Sequence, residues 1–261
     1  MLYFIGQVFP YIAAAVFVFG MAWRVQRWLK TPVPFPITLF PAPQSPAGRF
    51  AAVASELVLF KSLYRGGKGL WFWAWLMHVS LAMIIVGHIV GIYFLTHQFT
   101  LIGLSPEKSS ELSAFLGIVA GIGLFASMLV LLYRRTSIPE VKRLSDPADY
   151  FELLLLMAIV ITGMHMRTVS EVNLPAIREY LGSLILLRPV AIPHEGIFIS
   201  HFLLVNLLLL YFPFSKLVHL AGFVVNRSML VAAAPEYPTP DRARITEAAQ
   251  SARVFKGGAS S

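Results

Sequence analysis

Four histidines lie inside two apolar runs of this chain, two in each. His78 and His88 stand ten residues apart in WFWAWLMHVSLAMIIVGHIVG, and His201 and His219 eighteen apart in HFLLVNLLLLYFPFSKLVH. An ionisable side chain is costly in hydrocarbon and is rare there without a task. Neutral imidazole is the commonest protein ligand for metals and a standard axial ligand of haem iron. Two histidines on each of two helices make two pairs, enough to hold two six-coordinate b-type haems. The pattern predicts an electron-transfer membrane protein carrying two such haems, with His78, His88, His201 and His219 as iron ligands.

The elements that must position these side chains are membrane helices. Of 261 residues, 57% are hydrophobic and 13% charged, and the mean hydropathy is +0.71. A soluble domain carries about twice that share of charge. A bilayer core takes about 20 apolar residues per helix, and five stretches qualify, near 3–23, 71–96, 112–133, 150–166 and 197–220. Strand-type alternation is missing, which argues against a barrel. The predicted fold is all-α, an integral membrane bundle of five transmembrane helices. The first stretch starts apolar at Leu2 and ends in MAWRVQRWLK rather than at a small-residue cleavage site, so it reads as a mature helix and not a signal peptide.

Basic residues set the orientation. Arg24, Arg27, Lys30, Arg49, Lys61, Arg65 and Lys68 lie between the first two stretches, and Arg134, Arg135, Lys142 and Arg143 between the third and fourth. Lys216, Arg227, Arg242, Arg244, Arg253 and Lys256 follow at the C-terminal end. The other two loops hold Lys108, then Arg167, Arg178 and Arg188. The positive-inside rule puts the N-terminus outside and the C-terminus in the cytoplasm, in a cell inner (cytoplasmic) membrane. The net charge of +8 is then gathered on one face, for anionic headgroups or for a cytoplasmic partner. Nucleic-acid binding is disfavoured, since no separate basic domain exists.

The chain has no cysteine. That removes disulfides, thiolate zinc and iron–sulfur sites, and covalent C-x-x-C-H haem attachment. No Gly-rich dinucleotide turn is recognisable. Histidine-ligated haem b remains. Residues 1–225 read as the membrane domain and 226–261 as a cytoplasmic tail, rich in Ala, Pro, Arg and Ser from Ala232 onward, flexible or partner-binding. TPVPFPITLFPAPQSPAG, from Thr31 to Gly48, reads as an extended loop. Ala51 to Tyr64 reads as a short surface helix, and NLPAIREYLGSLILLRP as an interfacial amphipathic one. No transporter-type internal repeat is visible.

With the N-terminus outside, the second and fifth helices run antiparallel. His78 and His219 then share the cytoplasmic depth, and His88 and His201 the outer depth. Eighteen residues close about five turns, so His201 and His219 share a face, whereas ten residues rotate His88 from His78 by about 80°. The rises also differ, roughly 15 Å against 27 Å. Tilt and a kink at Pro213 would absorb the mismatch. Gly87 and Gly91, like Gly117 and Gly121, form small-xxx-small patterns that serve close helix packing, or at His88 room for a porphyrin face. His97, His165 and His194 fall at outer helix ends as solvated or interfacial residues, with His165 a weaker candidate for lining a quinone entrance. Trp71, Trp73 and Trp75 form an aromatic belt.

Five helices, N-out and C-in, with histidines ten apart on the second and eighteen apart on the fifth, resemble the gamma subunit of respiratory nitrate reductase. The V-G-H that ends the ten-residue gap agrees as well, and the likeness covers about residues 1–225. The resemblance implies that His78 with His219 holds a cytoplasmic-side haem and His88 with His201 an outer haem. It also implies that quinol is oxidised near the outer haem and that Lys108, twenty residues after His88, lies at the quinone site. TPVPFPI and FKSLYRGGKGLW look more like the sulfite-reductase-associated membrane cytochromes of the same family. The implied partner is a cytoplasmic iron–sulfur or molybdenum-enzyme redox subunit, with the terminal reductase chemistry on another chain.

The predicted function is therefore a membrane-anchor cytochrome b subunit that moves electrons between the quinone pool and a cytoplasmic redox partner through two bis-histidine haems. A proton-relaying transporter or channel is the alternative from another class. A redox-inactive anchor is a third.

Overall fold

The structure, a computed structural model, describes residues 1–31, 43, 45–170 and 172–232. Most of the Pro-rich stretch from Thr31 to Gly48, and the tail beyond residue 232, lie outside the described residues. The described residues form helices joined by turns, without strands. In chain order they are α1 (Phe9–Lys30, preceded by a π turn at Phe4–Val8), α2 (Pro46–Leu59), α3 (Lys61–Gly66) and α4 (Lys68–His88, carried on by a π turn at Ile89–Phe94). Then follow α5 (Pro106–Ser137), α6 (Pro139–Arg143), α7 (Pro147–Thr168), α8 (Leu174–Ile185), α9 (Gly196–Tyr211) and α10 (His219–Ala232).

Five helical spans are long and apolar enough to cross a membrane: Phe4–Lys30, Lys68–Ile92, Pro106–Ser137, Pro147–Thr168 and Gly196–Phe214. Two bounds depart from expectation for a physical reason. The third span begins six residues earlier than its apolar run, because Ser105 caps it by accepting from the Lys108 amide and Pro106 occupies the first turn. A helix start is set by capping and by proline at the first helical position, not by hydropathy. The fifth span does not run on to residue 220 with a kink. Its α-helix ends at Tyr211 and gives way to 3₁₀ turns at Phe212–Phe214 and Lys216–Val218, separated by Ser215, before α10 starts at His219. Pro213 cannot donate to the helical ladder. The buried Ser215 hydroxyl then accepts from the Leu217 amide and caps a new start.

The chain divides into two compact units. The first, Met1–Thr31 with Ala54–Phe223, holds all five spans. The second, Pro32–Val53 with Val224–Ser261, includes the first half of α2 and most of α10. Within the first unit α4 packs on α5, α5 on α7, α7 on α9 and α9 on α1. Small residues allow these approaches, as is common where lipid-like surroundings supply no hydrophobic drive. Gly121 on α5 lies against the Met164 sulfur on α7, and Gly123 against Ser80 on α4. Gly20 on α1 leaves room for the Pro213 ring. One apolar core, Leu124, Met128, Met157 and Val160, joins α4, α5 and α7. Another, around Tyr180, Ile192 and Phe198, seats α8 on α9. Tyr180 is fully buried and donates to the Gly6 carbonyl at 2.6 Å, while Tyr11 donates to the Leu184 carbonyl at 3.0 Å, tying α8 to the first span.

Candidate functional site

α4 and α9 are not among the closely packed helix pairs of the described residues. Their histidines nonetheless meet. His78, midway along α4, faces His219 at the start of α10, with ring centroids 5.8 Å apart and planes crossed at 84°. His88, the last residue of α4, faces His201 on α9 at 6.5 Å with planes 21° apart. The structure brings together His78 with His219 and His88 with His201, and because α9 breaks before His219, both approaches are made without matching rises on two straight helices.

Hydrogen bonds fix the state of each ring. His78 Nδ1 is 2.7 Å from the Ala74 carbonyl, His88 Nδ1 2.7 Å from that of Ile84, and His219 Nδ1 3.0 Å from that of Lys216. A carbonyl only accepts, so each Nδ1 carries the proton and each Nε2 keeps its lone pair. His201 Nδ1 lies 2.9 Å from the Thr162 hydroxyl. That hydroxyl is itself within 2.9 Å of the Ala158 carbonyl and 3.0 Å of the Ile159 carbonyl, so its proton goes to the backbone and it accepts from His201. All four rings are thereby in the tautomer that leaves Nε2 free to bind a metal, with the other nitrogen engaged as in most metal-ligating histidines.

The donor set fits haem iron. Two imidazole nitrogens at metal–nitrogen lengths of about 2 Å each put ring centroids roughly 6 Å apart across one ion. The observed separations of 5.8 and 6.5 Å bracket that value. Among the described residues no cluster of three or more His, Asp and Glu is placed to hold a metal by itself. Each pair would supply two imidazole nitrogens, a donor set that fits a group bringing its own further ligands, as a porphyrin does.

Neighbouring elements hold the pairs. The Phe60 ring stands edge-on to His78 at 4.9 Å. Phe60 turns the chain between α2 and α3 in the left-handed region, with φ 50°. Its corner is pinned by Trp71 and Trp75, whose indole N–H groups donate to the Leu59 and Val58 carbonyls at 2.7 and 3.0 Å. The expected aromatic belt thus also caps a helix end. His201 sits against Gly163, where a Cβ would come within 3.2 Å of its ring. Beyond His88, Arg178 donates to the carbonyls of Gly91 and Thr96, both at 3.2 Å, and places a cation at the C-terminal end of the second span.

The break before His219 is clamped by charge. Lys216 Nζ reaches Asp146 at 2.7 Å and Asp149 at 2.8 Å, and Arg135 reaches Asp149 at 2.9 Å. The buried Glu152 accepts the Lys216 backbone amide at 3.0 Å. The hydrogen bond from Lys216 holds the Asp146 carboxyl below its ordinary range, and the bonds to Asp146 and then Asp149 hold the Lys216 ammonium above its own.

Lys108 is not a loop residue. It occupies the first turn of α5 with an exposed side chain. His97 is half-buried and His165 exposed, and they are bonded through Nδ1 to the Ser110 and Ser170 hydroxyls, at 3.1 and 3.0 Å. His194, also exposed, lines an open depression with Glu195 and Asn173. Among the described residues a Cβ at Gly87 would meet nothing within 4 Å, so Gly87 makes no close helix contact there, whereas Gly91 faces Gln98 and Gly117 faces the Arg167 guanidinium. Sequence reasoning missed Thr162, Gly163, Phe60, Arg178 and the clamp. A signal for the clamp was present: Asp146, Asp149 and Glu152 recur every third residue at the start of α7.

Comparison with known proteins points the same way. Residues 50–231 match the family model described as nitrate reductase gamma subunit. The Hdr-like menaquinol oxidoreductase cytochrome b-like subunit of Archaeoglobus fulgidus is 32% identical, over 92% of this chain and 81% of its own. The nitrate reductase gamma chain of Bacillus subtilis is 23% identical, over 81% of this chain and 87% of its own. The respiratory nitrate reductase 1 gamma chain of Escherichia coli is 26% identical, over 83% and 89% respectively.

Proposed function

This chain belongs to the nitrate reductase gamma subunit family, and from that premise we propose that it is the di-haem cytochrome b anchor of a respiratory oxidoreductase. Its role is to pass electrons between membrane quinol and a cytoplasmic redox subunit. One observation carries the reading: four imidazoles face each other in two pairs, each with Nδ1 engaged and Nε2 free. When bound, each haem supplies a one-electron ferric–ferrous couple.

The chain's own residues do the rest. His78 with His219, and His88 with His201, would hold the two irons. The Ala74, Ile84 and Lys216 carbonyls and the Thr162 hydroxyl keep the rings in the ligating tautomer. The basic ends of the spans face the cytoplasm and offer a dock for the iron–sulfur or molybdenum subunit. The His88–His201 pair then lies toward the outer face, where quinol binds near the Lys108 end of α5. The name of the Archaeoglobus fulgidus relative, a menaquinol oxidoreductase subunit, favours menaquinol as the quinol class.

Pyridine haemochrome analysis of the purified chain should give two non-covalent haems. His219→Ala should remove the same spectral component as His78→Ala, and His201→Ala the same as His88→Ala. One haem or none in the wild type, or loss of one shared component in His78→Ala and His201→Ala, would defeat the reading. A protein free of chromophore would favour a proton-relaying transporter.

A further inference from the structure

The two pairs differ in one respect that the histidines alone do not explain. The planes of His78 and His219 cross at 84°, whereas those of His88 and His201 lie 21° apart. His78 is fixed by the regular turn of α4, through its own Ala74 carbonyl. His219 has no such turn before it, since it opens α10 directly after the broken stretch at residues 212–218. What orients its ring is the Lys216 carbonyl, 3.0 Å from Nδ1.

Lys216 is held on every polar group it owns. Its amide donates to Glu152 Oε1 at 3.0 Å, and its ammonium bridges Asp146 at 2.7 Å and Asp149 at 2.8 Å. Its remaining polar group, the carbonyl, accepts from His219. The three acids belong to one helix start. Asp146 caps α7 and exchanges a reciprocal capping box with Asp149, so the carboxylates are themselves fixed before they receive Lys216. Glu152 is buried, and so is the Asp149 side chain, which Arg135 holds from α5 at 2.9 Å. A buried carboxylate persists when its hydrogen bonds are made, and such a network is rigid.

We infer that Lys216 is a positioning residue for His219: the Asp146–Asp149–Glu152 face of α7 locks a single residue of the broken segment, and that residue sets the crossed orientation of the ligand pair. The inference rests on the haem reading above. It assigns a task to a charge cluster that a membrane anchor does not need for insertion. It also makes the two haem sites unequal by construction, one pair oriented by helix geometry and a threonine, the other by an ionic clamp.

The angle between ligand planes has a spectroscopic consequence. Crossed imidazoles leave two iron d orbitals nearly equal in energy and give a strongly anisotropic low-spin ferric signal. Near-parallel imidazoles separate those orbitals and give a rhombic signal. Hydrogen bonding at Nδ1 also tunes ligand basicity and so the reduction potential.

The test uses the full-length chain purified with its native haem, read by electron paramagnetic resonance and by optical redox titration, with the component lost in His219→Ala identifying the pair. In Lys216→Met and in Glu152→Met, the highest-anisotropy feature and the midpoint potential of that component should shift, while the other component stays. Lys216→Arg and Glu152→Gln, which keep the ionic clamp and the acceptor for the amide, should restore the wild-type signal. Two haems whose signals are unmoved in both methionine variants overturn the inference. So does a change that the conservative variant at the same position fails to reverse, or one that spreads equally to both haems. A wild-type protein without haem overturns the haem reading, and this inference with it, and the haem count separates that outcome from the others.

Discussion

A backbone carbonyl accepts a hydrogen bond and never donates one, and that asymmetry settles the tautomer of three of the four histidines. The fourth depends on a side chain. Thr162 passes its own proton to the backbone of α7 and accepts from His201. Thr162→Val keeps the shape and removes the acceptor. Loss of such an outer partner typically lowers metal-site affinity by about 10- to 100-fold. The His88–His201 haem should therefore transfer faster to excess apomyoglobin in Thr162→Val, while the other haem transfers at its wild-type rate and Thr162→Ser behaves as wild type. Equal rates in Thr162→Val and wild type would show the hydroxyl to be dispensable. Lys108 is the more exposed assignment. Its exposed ammonium, in the first turn of α5, is available for a charge-assisted bond to a quinol oxygen. Lys108→Ala should slow haem reduction by quinol analogues with both haem spectra intact, and unchanged kinetics would remove it from the site. The pairing of the four histidines was legible because an ionisable group in an apolar run stands out against its background. Thr162 and Gly163 were not, since a Thr-Gly pair in a helix carries no sign of the histidine 38 or 39 positions later that it supports.

At the scale of elements, the break in the fifth span governs where His219 sits. Pro213 is buried at that break, and Gly20 of α1 faces it so closely that an added Cβ would lie 2.7 Å from the proline Cβ. Gly20→Ala should therefore push α1 from the break and cost about 1–3 kcal/mol, the usual range for overpacking. Gly182 in α8 has nothing within 4 Å of its built Cβ. Gly182→Ala should instead stabilise by about 0.5–1 kcal/mol, because alanine loses less backbone freedom in a helix. Thermal unfolding in detergent compares the two directly, and a Gly20→Ala midpoint at or above wild type would contradict the tight contact. The five spans were legible because bilayer-length helices leave long apolar runs. The break was only partly so. FPFSK carries one proline, which reads equally well as a kink in a continuing helix. The early start of α5 escaped for the opposite reason: PEKSSEL is polar, and only the Ser105–Pro106 cap reveals that it is helical.

For the whole molecule, the spans and their charged ends act together. Lys30, Lys68, Arg134, Arg135 and Lys216 stand at one end of the alternating spans, and Lys108, Arg167 and Arg178 at the other. Contacts agree with that sorting, since Arg24 donates to the Pro213 carbonyl at 3.2 Å and Lys216 pairs with Asp146 at 2.7 Å, all toward the same end. Each basic residue near an anionic leaflet is worth about 1 kcal/mol. An excess of several on one end is the charge bias on which the proposed cytoplasmic placement of that end rests. In that proposed orientation the His88–His201 pair would lie outward and the His78–His219 pair inward. In the proposed reading, quinol oxidised at the outer face would leave its protons there while electrons pass inward, so that charge would cross the membrane without a pump. The absence of cysteine from the sequence makes this orientation easy to read, because any thiol label must come from an introduced residue. Glu107 and Glu140 are both exposed, at opposite ends of the third span. In intact spheroplasts a membrane-impermeant maleimide should label Glu107→Cys at once and label Glu140→Cys only after permeabilisation. The reverse pattern would turn the molecule over, place the Lys108 end in the cytoplasm, and leave the quinol reaction without the outward proton release that its orientation requires.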